Sequence, residues 1–450
     1  MSASTQIPRM NFGFDGPSTR LRVAIVGAGI GGLVLALELH RLGITSRIYE
    51  AATEIRPLGV GINLLPHSTR VLTGLGLEEA IAATGITTKE SVFYNRFGQF
   101  ICSEPAGRYA GYANPQFSVH RGDLQAVLMD AVRIRLGEDA VVTDYRCDSV
   151  SQSGDSARVA FSRTSDNTEL PPIEADIVVA CDGVHSSIRK QFYPDEGEPK
   201  YSGVTMWRGV TIGPPWLSGA SMARMGWFST GKMVVYPIRD DVDGKGNQLI
   251  NWVAEIETPQ RTQRDWTRVG QLDDFLDVFK GWKFDWLDIP ALIQGADTVL
   301  EYPMVDQDPL SRWTFGRVTL LGDAAHPMVP RGSNGAGQAI LDGHRLATLL
   351  ATATDPLQAL KDYEAERLPS TAAVVQANRT VPPDIVLHEV WERTGDRPFE
   401  RVEDIISAEE IAAISRRYQE IAGFSQEKLG RPGATDANSL LRNYQYEQQK

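Results

Sequence analysis

Three closely spaced glycines near the start of the chain constrain the fold more than any other feature of the sequence. Gly27, Gly29 and Gly32 follow an apolar, β-branched run at residues 22–26 and precede a helix-like segment at residues 33–42. A strand, a glycine-rich turn and a helix in this order are typical of the first unit of a doubly wound α/β domain. The first glycine permits a tight turn, the second lets a ligand approach the backbone, and the third allows close packing of the helix on the strand.

An acidic residue follows this turn at the spacing expected for a nucleotide site. Glu50 lies 21 residues after Gly29, at the end of the next predicted strand, residues 46–50. A carboxylate at this position can accept hydrogen bonds from a ribose, and the unpaired N–H groups at the start of the helix can bind phosphates. We therefore predict a Rossmann-type domain that binds a dinucleotide. The glycine motif by itself does not distinguish NAD from FAD.

Two later segments make that distinction. Residues 182–189 read DGVHSSIR and residues 316–327 read GRVTLLGDAAHP. Together with the glycine turn they resemble, in the expected order, the three signatures of the flavoprotein aromatic hydroxylases, the family of p-hydroxybenzoate hydroxylase. Within that family the chain is most similar to the phenazine-carboxylate hydroxylase branch, on the segments MWRGV (206–210), YPMVDQDP (302–309) and QAILDG (338–343).

The resemblance implies a non-covalently bound FAD. Asp323 directly follows a predicted strand and can accept hydrogen bonds from the ribityl hydroxyls, although a simple helix cap is the alternative role. The helix after it would direct its N–H groups at the N1–C2=O edge of the isoalloxazine, and its dipole favours the anionic reduced flavin. Asp182 can act by contact or by ordering the backbone. The residues expected to bind FAD are Gly27, Gly29, Gly32, Glu50, Arg56, Gly61, Arg121, Gln125, Asp182, Asp323, Gly335 and Ala336.

The same resemblance implies the chemistry. Family members reduce FAD with NADH or NADPH, which binds transiently, and use O2 to hydroxylate an electron-rich aromatic or heteroaromatic ring through a flavin C4a-hydroperoxide. A second GxGxxG motif, which would supply a separate nicotinamide domain, is missing from the sequence. The flavin carries the reaction, so no catalytic side chain is assigned. A flavoprotein reductase or dehydrogenase without oxygen insertion, and a non-catalytic flavin-binding protein, are the alternatives.

Between the motifs lies a segment of different character. Residues 201–256 are rich in Trp, Met, Tyr and Val with strand-like alternation, which predicts a second, mostly antiparallel sheet that holds the substrate. Its candidate substrate contacts are Trp207, Tyr236 and Trp252, with Pro327 above the flavin. The Ser-x-Arg carboxylate clamp of p-hydroxybenzoate hydroxylase is replaced by YPI at 236–238, which favours a larger or less charged aromatic.

The predicted fold class is therefore α/β, a Rossmann-type FAD-binding domain with an inserted antiparallel substrate domain and C-terminal helices. The expected boundaries are an N-terminal tail (1–20), a discontinuous FAD-binding domain (21–92, 118–200 and 300–375), a substrate domain (93–117 and 201–299) and a C-terminal helical region (376–450).

Composition and charge exclude several other function classes. The net charge is −12 with no basic run, which argues against nucleic-acid and anionic-membrane partners. The longest uncharged apolar run, residues 23–37, is too short to span a bilayer. The three cysteines are widely spaced and suggest no metal site. We expect a cytoplasmic protein that acts as a monomer or homodimer.

Overall fold

The computed structural model describes residues 19–55, 59–259 and 269–429. Its strands are β1 (Thr19–Val26), β2 (Ile44–Tyr49), β3 (Gly61–Leu64), β4 (Ile86–Thr87), β5 (Glu90–Tyr94), β6 (Phe100–Pro105), β7 (Phe117–His120), β8 (Val141–Val142), β9 (Arg146–Ser153), β10 (Ser156–Ser162), β11 (Glu169–Ala175), β12 (Ile177–Ala180), β13 (Lys200–Gly213), β14 (Ser221–Trp227), β15 (Gly231–Arg239), β16 (Gln248–Glu257), β17 (Lys283–Phe284), β18 (Leu287–Asp288), β19 (Leu300–Asp306), β20 (Thr314–Phe315) and β21 (Val318–Leu320). Its helices are α1 (Ile30–Arg41), α2 (Pro66–Gly74), α3 (Glu78–Ala82), α4 (Arg121–Leu136), α5 (Ser187–Phe192), α6 (Leu276–Phe279), α7 (Ile289–Gln294), α8 (Gly335–Thr352), α9 (Pro356–Thr380), α10 (Ile385–Thr394), α11 (Ala408–Ala422) and α12 (Gln426–Leu429).

The first sheet is a mainly parallel, doubly wound layer. Its strand order is β20-β21-β12-β1-β2-β8, and β1 pairs in parallel with both β2 and β12. Residues 23–26 of β1 are buried on both faces, as expected for a strand covered by helices on either side. The two neighbours of β1, β2 and β12, lie on opposite sides of it. In such folds a crevice opens at the carboxyl ends of the strands at this point, and nucleotides bind there. The predicted α/β fold class is confirmed.

The second sheet has seven strands in the order β19-β13-β16-β15-β14-β5-β6. Its pairs are antiparallel apart from β14 with β5, which are parallel. The strands come from three separate parts of the chain, because β5 and β6 precede the central hairpins by about a hundred residues and β19 follows them. Residues 300–306 pair with β13 here, so this segment belongs to the second sheet and not to the first, where the expected boundaries put it.

The two faces of the second sheet have different neighbours. One face packs under residues 272–294, where Trp207, Trp252, Phe275 and Phe279 form a core. The opposite face meets the first domain, because the Tyr236 hydroxyl donates to the carbonyl of Gly61 on β3 at 2.9 Å. The space between the two domains therefore lies on the Tyr236 face.

The C-terminal helices close the molecule. Helix α8 packs on α1 and α9, while α10 packs on β14 and α11 on α9. Helix α11 starts at the capping box of Ser407 and Glu410. None of the described helices has the length and apolar character required to cross a bilayer.

Candidate active site

The three turn glycines differ in what surrounds them. A side chain at Gly27 would overlap the carbonyl of Cys181, and Gly27 has φ of +106°. A side chain at Gly32 would overlap the carbonyl of Gly27. At Gly29, by contrast, no described atom lies within 4 Å of the position that a Cβ would take, and φ is −70°. The open space over Gly29 fits a bound pyrophosphate, while the other two glycines are required by the packing of the turn.

Helices α1 and α8 are among the described helices that begin without a side-chain cap. Helix α1 begins after Gly29 and α8 begins after Asn334, and neither has a capping side-chain hydrogen bond or an acidic residue in its first turn. The first N–H groups of a helix have no intrahelical acceptor, and together with the helix dipole they attract anionic groups. Both helices can therefore bind phosphate or another negatively charged group. Gly335 and Ala336, which are half-buried, form the start of α8.

Glu50 and Gln125 fix the turn between β1 and α1. Glu50 accepts hydrogen bonds from the N–H groups of Ala28 at 2.7 Å and Ala52 at 2.8 Å. Gln125 donates to the carbonyl of Ala28 at 2.9 Å. Each Glu50 oxygen keeps a further lone pair, so the carboxylate can also accept a hydrogen bond from a ribose.

Arg121 starts α4 and is exposed. Its Cβ lies 3.4 Å from the position that a Cβ on Gly59 would take. Gly59 has φ of +134°, which favours glycine. Arg121 therefore emerges beside the segment that leads into β3. Arg56, also expected in this region, lies outside the described residues.

Asp323 follows β21 and is solvent-accessible although many protein atoms surround it. Its side chain is accessible to solvent, yet desolvation by the surrounding protein raises the pKa of its carboxyl, an effect that His326 and Arg121 oppose. A Cβ on Gly335 would lie 3.9 Å from Asp323 Oδ1, so the carboxylate borders the first turn of α8. An accessible carboxylate enclosed by protein fits the vicinal hydroxyls of a ribityl chain.

Asp182 orders the turn after β12. Its Oδ2 accepts a hydrogen bond from the N–H of Ser187 at 3.0 Å. Its Oδ1 is buried and has no hydrogen-bond partner among the described residues, and burial raises the pKa of the carboxyl. The structure thus gives Asp182 a backbone-ordering contact through one oxygen, while the other oxygen is enclosed by protein without a hydrogen-bond partner among the described residues.

A buried polar network supports the Asp323 loop. Asp342 on α8 bonds to His326 Nε2 at 2.6 Å and to Arg367 Nε at 2.7 Å. Burial acts to raise the pKa of Asp342, but Arg367 and His326 hold it below its usual range. Arg189 donates to the carbonyl of Ala324 at 2.9 Å. His326 is buried, so its bond to Asp342 holds the Asp323 loop against α8.

Sequence reasoning missed this network. Asp342 lies in the QAILDG segment and Arg189 ends the DGVHSSIR segment, so both stand in recognised motifs. Neither motif indicates which residues its side chains contact. Arg189, for example, bonds to a loop 135 residues further along the chain.

Gly61 and Tyr236 meet at the junction of the two domains. The N–H of Gly61 donates to Asn251 Oδ1 at 2.7 Å, and its carbonyl accepts from Tyr236 and from Arg208 Nη2 at 2.7 Å. A Cβ on Gly61 would lie 2.7 Å from the Tyr236 ring. This glycine is therefore needed for the contact between β3 and the second sheet.

The other expected substrate contacts are placed differently. Trp207 and Trp252 are fully buried on the opposite face, where Trp207 stacks on Phe275 with ring centroids 4.8 Å apart. Side chains along a strand alternate between the two faces of a sheet, and these two tryptophans lie on the face that is opposite to Tyr236. They are therefore core residues of the second sheet and not part of the cleft wall. Pro327 is buried in the loop before α8.

One arginine on the cleft face was not singled out from the sequence. Arg224 on β14 stands opposite Val234 of β15, on the same face as Tyr236. It is half-buried, and its guanidinium lies 5.4 Å from the centre of the Phe93 ring. Within the described ranges it makes no direct hydrogen bond or ion pair, although its charge acts to lower the pKa values of the Glu104 and Asp384 carboxyls. Its N–H groups can therefore receive an anionic ligand. The strand alternation of residues 221–227 was the signal that could have indicated it.

Comparison with known proteins agrees with this geometry. The sequence family described as FAD binding domain matches residues 20–274 and 291–378. Phenazine 1,6-dicarboxylic acid hydroxylase PhzS of Lysobacter antibioticus is 42% identical over 408 residues, covering 90% of this chain and 98% of its own. The 3-amino-4-hydroxybenzoate 2-monooxygenase PtmB3 of Streptomyces platensis is 32% identical over 80% of this chain and 88% of its own.

A solved structure supports the fold. HpxO of Klebsiella pneumoniae, complexed with FAD and uric acid, superimposes with a TM-score of 0.67 at 22% identity, over 92% of this chain and 95% of that one. At this identity the likeness concerns the fold. Because the family match spans most of the chain and a 42% identical relative covers 90% of it, the chain belongs to the FAD-dependent aromatic hydroxylases, the family that its three signatures predict.

Proposed function

We propose that this aromatic hydroxylase acts on a flat aromatic or N-heteroaromatic ring that carries a carboxylate, and that the carboxylate pairs with Arg224. The observation that carries the proposal is the position of Arg224 on the cleft face, where its guanidinium makes no direct hydrogen bond or ion pair among the described residues. Glu104 and Asp384 lie within range of its charge but do not bond to it. A half-buried cation is costly unless a negative group pairs with it, and guanidinium–carboxylate pairs are among the strongest hydrogen bonds. The names of the two relatives, which specify a phenazine dicarboxylic acid and a hydroxybenzoate, support an acidic substrate.

For the cofactor we propose a path along the crevice of the first sheet. The pyrophosphate lies against Gly29 and the start of α1, the ribityl chain against Asp323, and the edge of the ring system against the start of α8. When bound, FAD supplies hydride acceptance from NADH or NADPH and the activation of O2. The dipole of α8 stabilises negative charge at that edge. We further propose that the enzyme acts in the cytoplasm as a monomer or homodimer.

The apolar part of the cleft serves to exclude water. Met206, Val253 and Met304 of the second sheet pack with Phe228 and with Val329 of the loop before α8. A dry site strengthens electrostatic interactions and protects reactive groups from water. The chain therefore provides one apolar wall, one cation and one helix start around the reacting ring.

The test compares two substrates that differ only in charge. Phenazine-1-carboxylate and its carboxamide are offered to the purified enzyme and to Arg224→Gln under 18O2. We expect one labelled oxygen per product molecule. We also expect the variant to raise KM for the carboxylate about tenfold or more, since a hydrogen bond to a charged group is worth about 1.5–3 kcal/mol.

The carboxamide and a distant arginine are the controls. KM for the carboxamide is expected to be the same in both proteins, and Arg158→Gln, an exposed residue on β10, is expected to behave as the wild type. An equal loss for both substrates would exclude Arg224 as the carboxylate partner. Reduced, unlabelled product formed with stoichiometric NAD(P)H would identify a reductase instead.

A further inference from the structure

Helix α11 brings a buried tyrosine against the loop that precedes α8. Tyr418 is 2% exposed. Its hydroxyl donates to Asn378 Oδ1 at 2.7 Å and accepts from Asn334 Nδ2 at 2.8 Å. Asn334 is the residue after which α8 begins, and its Nδ2 also donates to the carbonyl of Gly332 at 3.1 Å. The tyrosine hydroxyl is thus bonded to the residue that starts the helix.

The loop and the tyrosine fit each other closely. A Cβ on Gly332 would coincide with the Tyr418 hydroxyl and would lie 2.8 Å from Asn378 Oδ1. The backbone of Gly332 is not in the left-handed region, so the glycine is required by this contact and not by its own conformation. The hydroxyl occupies the volume that a side chain at position 332 would need.

Two further residues of the same segment reach the first turns of α8. The carbonyl of Ala422 accepts a hydrogen bond from Gln338 Nε2 at 3.3 Å. The Phe424 ring stacks on His67, with centroids 5.4 Å apart and planes at 16°. His67 Nε2 in turn lies 3.3 Å from the position of a Cβ on Gly337. Tyr418 and Ala422 therefore contact the start of α8 directly, and Phe424 does so through His67. We call these three residues the C-terminal clamp.

We propose that the C-terminal clamp sets the orientation of the first turn of α8 for FAD binding, with Tyr418 as a positioning residue that acts through Asn334. The inference rests on the proposed function, in which this turn faces the edge of the isoalloxazine. Hydrogen-bond donors stabilise charge only when they are held at the right place before it develops, and small displacements weaken them. A hydroxyl that fixes the start of the helix therefore contributes to cofactor binding without touching the cofactor.

The test removes one oxygen atom. Tyr418→Phe keeps the ring and deletes both hydrogen bonds of the hydroxyl. We expect the Kd of the apoprotein for FAD to rise about twofold to tenfold, the range of a single net hydrogen bond. We also expect the visible absorption spectrum of the bound flavin to shift. The amount of hydroxylated product formed per NAD(P)H consumed should decrease. Arg417→Ala, an exposed neighbour on α11, is expected to match the wild type.

Gly332→Ala is the second variant, because it displaces the same hydroxyl from the opposite side and should change Kd and spectrum in the same direction. Wild-type Kd and spectrum in both variants would overturn the inference. So would a lower unfolding temperature with unchanged Kd and spectrum, which indicates a purely structural tyrosine. Asp323→Asn separates the two proposals: if it impairs FAD binding while both clamp variants do not, the cofactor site stands and the clamp fails.

Discussion

An added methyl group would have different consequences at the three turn glycines. At Gly29 it would enter open space with an allowed backbone, whereas at Gly32 it would overlap the carbonyl of Gly27. We therefore expect Gly29→Ala to fold like the wild type and to lose FAD affinity, because the side chain takes up room that the pyrophosphate needs.

Gly32→Ala is the matched control, since it should lower the yield of folded protein or the unfolding temperature of the apoprotein. Thermal unfolding of the apoproteins and FAD titration measure the two effects separately. Normal FAD binding by a folded Gly29→Ala protein would move the phosphate site elsewhere.

Asp323 combines an enclosed position with a charge. Desolvation by the surrounding protein raises the pKa of this accessible carboxyl, so the folded apoprotein holds the proton to a higher pH than the unfolded chain, and stability falls as pH rises through that window. Asp323→Asn removes the charge and keeps the shape. We expect FAD affinity to fall about tenfold or more, while the unfolding temperature of the apoprotein at neutral pH does not fall. A variant with normal FAD affinity would exclude Asp323 as a partner of the ribityl hydroxyls.

At the scale of elements, the contact between α2 and α8 contains an unusual histidine. His67 is buried, neither ring nitrogen has a hydrogen-bond partner among the described residues, and burial lowers its pKa to about 3. The unfolded chain takes up this proton near pH 6.5, so the free energy of unfolding decreases as pH falls from about 6.5.

One such group contributes a slope of about 1.4 kcal/mol per pH unit between the two pKa values. Urea titration measures the free energy of unfolding of His67→Gln between about pH 6 and pH 4, a range that lies between the two pKa values. We expect this variant to show a flatter pH dependence than the wild type. His185→Gln, at an exposed histidine, is expected to keep the wild-type slope. Equal slopes in all three proteins would show that His67 is not held neutral by burial.

The elements also show where sequence reasoning succeeds and where it stops. The strand, turn and helix at residues 22–42 follow from local periodicity and from glycines whose roles depend on immediate neighbours. Alternation along residues 201–256 predicted the second sheet, but alternation defines two faces without saying which one helices cover. Trp207 and Trp252 lie under residues 272–294, so only the packed structure separates them from Tyr236. Tyr418 acquires its role through Asn334 and Asn378, which are distant in sequence and which no local pattern indicates.

At the scale of the whole molecule, the site is assembled from parts that are far apart in the chain. The glycine turn, Asp182 and Asp323 come from three successive strands of the first sheet, β1, β12 and β21, which are neighbours in space. Arg224 comes from the second sheet, and the C-terminal clamp from residues 418–424. Gly61, in the three-stranded sheet β3-β7-β4, connects the FAD-binding domain to the second sheet through Tyr236, Arg208 and Asn251. The cleft therefore exists only when both sheets and the C-terminal helices are in place.

The position of β1 at the centre of the first sheet has a consequence for biosynthesis. One neighbour, β2, follows it within about twenty residues, but the other, β12, follows only after about 150. At a translation rate of about 5–20 residues per second, the apolar edge of β1 stays without its second neighbour for roughly 8 to 30 s. An unpaired apolar strand edge is a template for intermolecular pairing. This topology therefore makes the chain most prone to aggregation during its synthesis on the ribosome, rather than after the finished enzyme unfolds.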